Sequence, residues 1–334
     1  MQIYPLQTGF TKVPFGQFYG GRTGWIGLGA FWHMLIDTNH PIWVPIYAYL
    51  IVHPQVGPIL VDTGISAAQA REHTTYYRGV MGLTTDADEY ALAPEQELPA
   101  QLERLGYRCT DISTIILTHL HEDHVGGLRY FPHAQVILSA AEWAVRNETV
   151  LGFRPMYHAP SFAMIRHWRP VGFDAGSRSG FDTTHDVLGD GSLRLLPTPG
   201  HSGGHASLLV EQGDHQVLLA GDALYTLRHL AIDQLWAFVP GNRHRVAQYV
   251  DSIRRIQRLR ADLPNLIIIP THDHSAYQFE YLQPFLVDGV LDAAERAAIH
   301  AYEATIFDTP GHVRPEALPR YQTPHAGNLV GTVA

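Results

Sequence analysis

The chain has 334 residues, with 32 acidic against 23 basic side chains, one cysteine and 21 histidines. Hydrophobic residues make up 46% and charged residues 16%, so the chain can bury a sizeable core and is not a disordered segment. The formal charge of −9 weighs against a nucleic-acid partner, and the lone Cys109 excludes a disulfide framework and any multi-cysteine metal site.

A single lysine, Lys12, stands among the basic residues, and no Gly-Lys-Ser/Thr step exists, so a Walker-type phosphate loop is excluded. Met1 to Pro14 lacks the basic start and apolar run of an export signal. The longest apolar stretch, Trp43–Val52, is broken by Pro45 and falls short of the ~20 residues that span a bilayer. A cytoplasmic protein without a membrane partner is the expectation.

In chain order, residues 1–42 are rich in glycine and aromatics and read as irregular structure with short strands. Ile46–Val52 and Ile59–Val61 flank a Pro/Gly turn and predict a hairpin closed by Asp62-Thr63-Gly64. Residues 66–100 are polar and mixed, with a helix predicted over Pro94–Leu105. Ile115–Leu117 and Val136–Leu138 read as buried strands, the second followed by a helix near Ala140–Arg146. Residues 147–185 lack clear periodicity, which suits a lid or insert. Leu193–Leu196, Ala206–Val210 and Gln216–Ala220 predict three more strands. Val246, Val250, Ile253, Ile256 and Leu259 mark one face of a helix that Pro264 stops. Leu266–Ile269 is a further buried strand, a helix is expected around Asp292–Tyr302, and the tail after Pro310 reads as loop. Hairpins mixed with strand–loop–helix units indicate an α/β or α+β fold.

The chemistry concentrates in Thr118-His119-Leu120-His121-Glu122-Asp123-His124-Val125-Gly126-Gly127. The segment follows a strand, where functional loops collect, and His119 and His121 point the same way in extended chain. Scattered histidines are mostly surface or satisfied core residues, but four potential ligands within six residues are hard to accommodate as packing alone. His201, Asp222 and His272 each lie one to five residues beyond a β run. Singly each reads as structural; with the cluster they complete an inventory for two metals.

This His-x-His-x-Asp-His pattern with its later ligands resembles the metallo-β-lactamase superfamily over roughly residues 46–275. The resemblance implies an α/β, four-layer αββα sandwich. It implies one domain over 1–334 with an N-terminal extension (1–42), inserts near 66–100 and 147–185, and a C-terminal tail (310–334). It implies that His119, His121 and His201 hold one divalent metal, that Asp123, His124 and His272 hold a second, and that Asp222 bridges both. Asp62 is implied as an orienter of the ligands. His205 is implied as a structural neighbour of the metal loop, not an eighth ligand. Imidazoles and carboxylates suit zinc; iron, manganese and cobalt suit the same set.

Tyr225, three residues after Asp222, narrows the resemblance to the N-acyl-homoserine lactonases, in which a tyrosine at this spacing points at the substrate carbonyl. Thr198–His205 and Thr271-His272-Asp273 are similar to that family too. The implied activity is opening of the lactone ring by a metal-bridging hydroxide, with Tyr225 stabilising the oxyanion and Asp123 moving a proton. The small-molecule substrate is then an N-acyl-homoserine lactone, and a homodimer is a further expectation. An ordinary strand-end aromatic is the plainer reading of Tyr225. The alternative is an organophosphate or thioester hydrolase on the same fold, similar to methyl-parathion hydrolase or glyoxalase II. Phe18, Trp25, Phe31, Trp32, Met34 and Met156 are candidates to line an acyl groove, although each also suits a core. Gly200-His201-Ser202-Gly203-Gly204 satisfies the nucleophile-elbow pattern G-x-S-x-G. The elbow requires a following helix, whereas Ala206–Val210 reads as a strand.

Overall fold

A computed structural model describes residues 1–19, 41–84, 89–150, 152–233, 237, 239, 243–273, 292–309 and 311–317. Its strands are β1 (Gln2–Pro14), β2 (Pro41–His53), β3 (Gly57–Val61), β4 (Tyr90–Ala91), β5 (Thr114–Ile116), β6 (Gln135–Ser139), β7 (Thr149–Val150), β8 (Arg154–Pro155), β9 (His167–Val171), β10 (His185–Asp186), β11 (Leu193–Pro197), β12 (Ala206–Gln212), β13 (His215–Gly221) and β14 (Leu266–Pro270). One seven-stranded sheet runs β4-β1-β2-β3-β5-β6-β9 and one five-stranded sheet runs β10-β11-β12-β13-β14. β1, β2 and β3 pair antiparallel, whereas β3, β5, β6 and β9 run parallel.

Side-chain alternation sorts the apolar residues into three layers. On β2, Tyr47, Tyr49 and Ile51 face the other sheet, where Leu195, Leu208, Val210, Val217, Leu219, Ile267 and Ile269 meet them. Ala48 and Leu50 point the opposite way, against Leu98, Leu102, Leu128 and Phe131 of the outer helical segments. On the far side, Leu209, Leu218, Leu266 and Ile268 pack under Tyr249, Ile253, Ile256 and Leu259 of the helix Arg243–Asp262. The order is therefore helix, sheet, sheet, helix. That helix was expected, but Tyr249 shares its buried stripe and Val246 is only half-buried. Among the described residues the last α-helix spans Ala293–Ile306, ending four residues later than expected.

Three expectations are corrected. Residues 1–42 begin with the 13-residue β1, where irregular structure with short strands was expected. The alternation of β1 is hidden by Pro5 and by a register shift between Gln7 and Phe10, with Gly9 at φ 108°. Residues 147–185 also carry β9, which adds a parallel strand to the first sheet. The tail after Pro310 contains a short strand, His312–Val313, paired with Phe307–Thr309. No helix among the described residues is long and apolar enough to cross a membrane.

What positions the site is the convergence of strand ends. Val61 pairs with Ile116, Pro197 with Ala206, and Gly221 with Pro270, so the loops after β3, β5, β11, β13 and β14 share one edge. There the sheets are stitched together: the Ala206 amide donates to the Thr118 carbonyl at 3.0 Å.

Candidate metal centre

Asp62, directly after β3, is the sole non-glycine residue at positive φ (54°) among the described residues. Its buried carboxylate accepts hydrogen bonds from the Thr118 amide, the Thr118 hydroxyl and His124 Nδ1, each at 2.8 Å. These contacts hold the strained backbone. They also turn His124 so that Nε2 faces inward.

The other imidazoles are aimed the same way. His272 Nδ1 donates to the Pro45 carbonyl at 2.9 Å. His119 Nδ1 lies 3.0 Å from the Thr118 hydroxyl, which already donates to Asp62 and therefore accepts here. His201 Nδ1 lies 2.9 Å from the Tyr225 hydroxyl. The first two bonds fix the tautomer, and all three leave Nε2 to the centre. His121 is the exception, presenting Nδ1 while its ring packs against Tyr157.

Two groups of donor atoms result. His119 Nε2, His121 Nδ1 and His201 Nε2 are mutually 2.7–3.1 Å apart, with Asp222 Oδ2 3.2 Å from His201 and 3.9 Å from His119. In the second group Asp123 Oδ2 lies 3.9 Å from His124 Nε2 and 3.4 Å from His272 Nε2. Asp222 Oδ1 stands 3.3 Å from His124 and 3.4 Å from His272. Ligands about 2.0–2.1 Å from a tetrahedral ion lie about 3.3 Å from each other, so both groups fit one. Neutral imidazole nitrogens this close repel unless a proton or a cation lies between them. His124 Nε2 and Asp222 Oδ1 are buried without a hydrogen-bond partner, which also suits a metal.

The titration behaviour follows the same division. Burial pushes His121 down to about 4 and holds His119 and His201 well below the usual histidine range. Burial opposes charging of His124 and His272 as well, but Asp222, with Asp62 and Asp123 beside His124, outweighs it and raises both. Burial alone would raise Asp222, yet His272, His124 and His201 hold it well below the carboxylate range. Asp222 thus faces both groups, with Asp62 and Asp123 also beside His124 of the second.

His205 uses both ring nitrogens away from the centre. Nδ1 lies 2.8 Å from the Thr198 hydroxyl and Nε2 accepts from the Asp222 amide at 3.0 Å. Thr198 passes the chain to Ser207, which donates to the Ala220 carbonyl. Gly221 permits this approach: a Cβ there would stand 2.7 Å from His205 Nε2. Ser202 is committed too, donating to Glu142 at 2.6 Å, and β12 rather than a helix follows it. The nucleophile-elbow pattern therefore has no elbow.

Of the groove candidates, Phe18 stacks on Tyr225 with ring centroids 4.5 Å apart and lies 5.9 Å from the His272 ring. Met156 packs in the outer layer with Leu128 and Phe131. Trp25, Phe31, Trp32 and Met34 lie outside the described residues. The sequence reading missed Glu142, which is fully buried and contacts both histidine loops. Ser139 and Glu142 stand at capping-box spacing, so the pair has a sufficient local explanation in sequence.

Residues 41–272 match the profile of the Metallo-beta-lactamase superfamily. The chain belongs to this superfamily. Among its relatives, the N-acyl homoserine lactonase AttM of Rhizobium radiobacter is 32% identical over 238 residues, covering 70% of this chain and 84% of its own. A probable metallo-hydrolase of Mycobacterium bovis is 32% identical over 242 residues, covering 69% and 75%. A solved N-acyl homoserine lactone hydrolase, with N-hexanoyl-L-homoserine bound at its catalytic metal center, gives a TM-score of 0.63 at 23% identity. It covers 85% of this chain and 97% of that one. At that identity the likeness concerns the fold.

Proposed function

We propose that this chain is a dinuclear-metal hydrolase that opens the lactone ring of N-acyl-homoserine lactones. The observation that carries this reading is Asp222, which offers one carboxylate oxygen to each donor group while Tyr225 touches His201. His119, His121, His201 and Asp222 Oδ2 would hold one ion; Asp123, His124, His272 and Asp222 Oδ1 would hold the other. The all-nitrogen-and-oxygen set is assigned to zinc. A single cysteine suits a reducing compartment, and the enzyme is assigned to the cytoplasm. The AttM relative supports the substrate class.

When bound, the two ions supply activation of water and of the carbonyl. The residues supply the rest. With Nε2 given to the ion, His201 Nδ1 carries the ring hydrogen and donates to the phenol oxygen of Tyr225, so the phenol hydrogen is not consumed in that pair. Burial holds Tyr225 well above the usual tyrosine range, which keeps it a donor for the carbonyl oxygen of the lactone. Asp123, less buried than Asp222, takes the proton of the attacking water and returns it to the ring oxygen as that bond breaks.

Tyr225→Phe tests the assignment. Loss of one oxyanion donor costs about 10²–10³-fold elsewhere, and with a metal sharing the oxygen a loss in kcat of about tenfold is expected. The variant also deprives His201 Nδ1 of its acceptor, so it is assayed at saturating metal. Two metal equivalents with a lowered kcat support the role. An unchanged kcat with a lowered Tm makes Tyr225 a packing residue.

His205→Ala is expected to weaken metal affinity by about 10–100-fold through release of the Asp222 backbone. Two equivalents are still expected at saturating metal, by elemental analysis. Loss of a full equivalent there would make His205 a ligand.

A further inference from the structure

We infer that Glu142 is a positioning residue, clamping the loop that carries His119 and His121 to the loop that carries His201. The inference rests on the two-metal reading and deepens it. Glu142 lies in the first turn of the helix Ala140–Val145 and is fully buried. Its Oε1 accepts from the Leu120 amide at 3.1 Å. Its Oε2 accepts from the Ser202 hydroxyl at 2.6 Å and from the Gly204 amide at 2.9 Å. Leu120 sits between two donor histidines and Ser202 directly follows the third. One rigid carboxylate therefore sets the distance between segments about eighty residues apart in sequence.

The helix start is built around this clamp. The Ser139 hydroxyl accepts from the Glu142 amide at 2.9 Å and itself donates to the Gly204 carbonyl. Gly204 is thereby held by both its amide and its carbonyl. A Cβ on Gly204 would stand 1.8 Å from the Glu142 nitrogen, so the second loop is seated directly on the helix N-terminus. A carboxylate that only capped its own helix would turn back to the Ser139 amide. Glu142 instead spends both oxygens on the two loops. Two charge-assisted bonds to backbone amides are directional, and they tie down the chain on either side of the donor atoms.

Removing the clamp is expected to act on one metal site. The group His119, His121 and His201 spans both loops, whereas Asp123, His124 and His272 include no residue of the 198–204 loop. Metal affinity is read by competition of zinc with a chromophoric chelator in two backgrounds. His272→Ala leaves the three-histidine group complete, and His121→Ala leaves the other. In the His272→Ala background, Glu142→Ala is expected to weaken zinc about 10–100-fold, the size of effects from groups that orient ligands. In the His121→Ala background a change under about threefold is expected by the same reasoning. Glu142→Gln keeps the amide oxygen for Ser202 and Gly204 but faces its NH2 toward the Leu120 amide. It is expected to lie between wild type and Glu142→Ala. Ser202→Ala, which removes one bond and leaves the carboxylate, is expected to be milder still. These variants keep the test open should Glu142→Ala fail to fold. A loss of global stability leaves the affinity of folded molecules unchanged, so it does not reproduce this pattern. Equal weakening in both backgrounds, or none in either, would overturn the inference. If wild-type protein binds fewer than two zinc ions, the two-metal reading itself fails, a result distinct from a clamp without effect.

Discussion

Replacing Asp222 by alanine is expected to release metal from both groups and to lower kcat/KM for a lactone by about 10³-fold or more. A metal that polarises a carbonyl is worth several kcal/mol, and each 1.4 kcal/mol is about tenfold in rate. Asp222 is the residue whose two oxygens reach both donor groups, and its charge faces His124, His272 and His201. On the proposed assignment the loss removes a ligand from each site and a counter-charge from the pair. Elemental analysis after dialysis should find well under two equivalents, and steady-state kinetics at ambient metal should show the fall. Asp222→Asn keeps the shape and one acceptor oxygen, so it is expected to retain more metal than the alanine variant. Full metal content with kcat/KM within tenfold of wild type would remove Asp222 from the bridging position.

Asp62→Ala is expected to give the largest loss of stability. The variant strands the Thr118 amide, the Thr118 hydroxyl and His124 Nδ1 in a site that excludes water. Each stranded buried donor costs about 1–3 kcal/mol. Three of them approach a large share of the 5–15 kcal/mol or so that holds a typical domain together. Alanine also tolerates the positive φ at this position less well than aspartate does. Urea titration of the metal-free variant should show a strongly lowered midpoint. Added zinc should restore part of the stability, because a ligand that binds only the folded state stabilises it by mass action. Asp62→Asn keeps one acceptor and tolerates the backbone, so it is expected to fall between. A midpoint for Asp62→Ala within experimental scatter of wild type would mean that the three donors find other acceptors.

The donor residues were legible because their spacing is local or follows short β runs that end at one sheet edge. His119 to His124 lie within six residues, and Asp222 and His272 sit one and two residues beyond β13 and β14. Strand ends in an α/β fold collect functional loops, so type and place agreed. Glu142 was not legible, because an acid in the first turn of a helix already has a local reason to be there. Its partners at 120, 202 and 204 are supplied by the fold. β1 was hidden for another reason. Its register shift and Gly9 break the alternation by which a half-buried strand is recognised. The strand expected from Ile46 begins at Pro41, with Pro45 inside it. Among the described residues, β3 pairs only with Tyr49–His53, so Pro45 lies where β2 has a ladder neighbour on one side, which proline tolerates. Its carbonyl is then used to orient His272.

The most direct test of the proposed lactonase is acid release measured by pH-stat on metal-replete protein. The substrates are an N-acyl-homoserine lactone, a simple lactone without the amide, an organophosphate triester and a thioester. Ring opening of the acyl-homoserine lactone is expected to release one proton per turnover, to be the fastest of the four, to stop on addition of a chelator and to resume with zinc. Turnover of the triester or the thioester without turnover of either lactone, or lactone hydrolysis that a chelator leaves untouched, would contradict it.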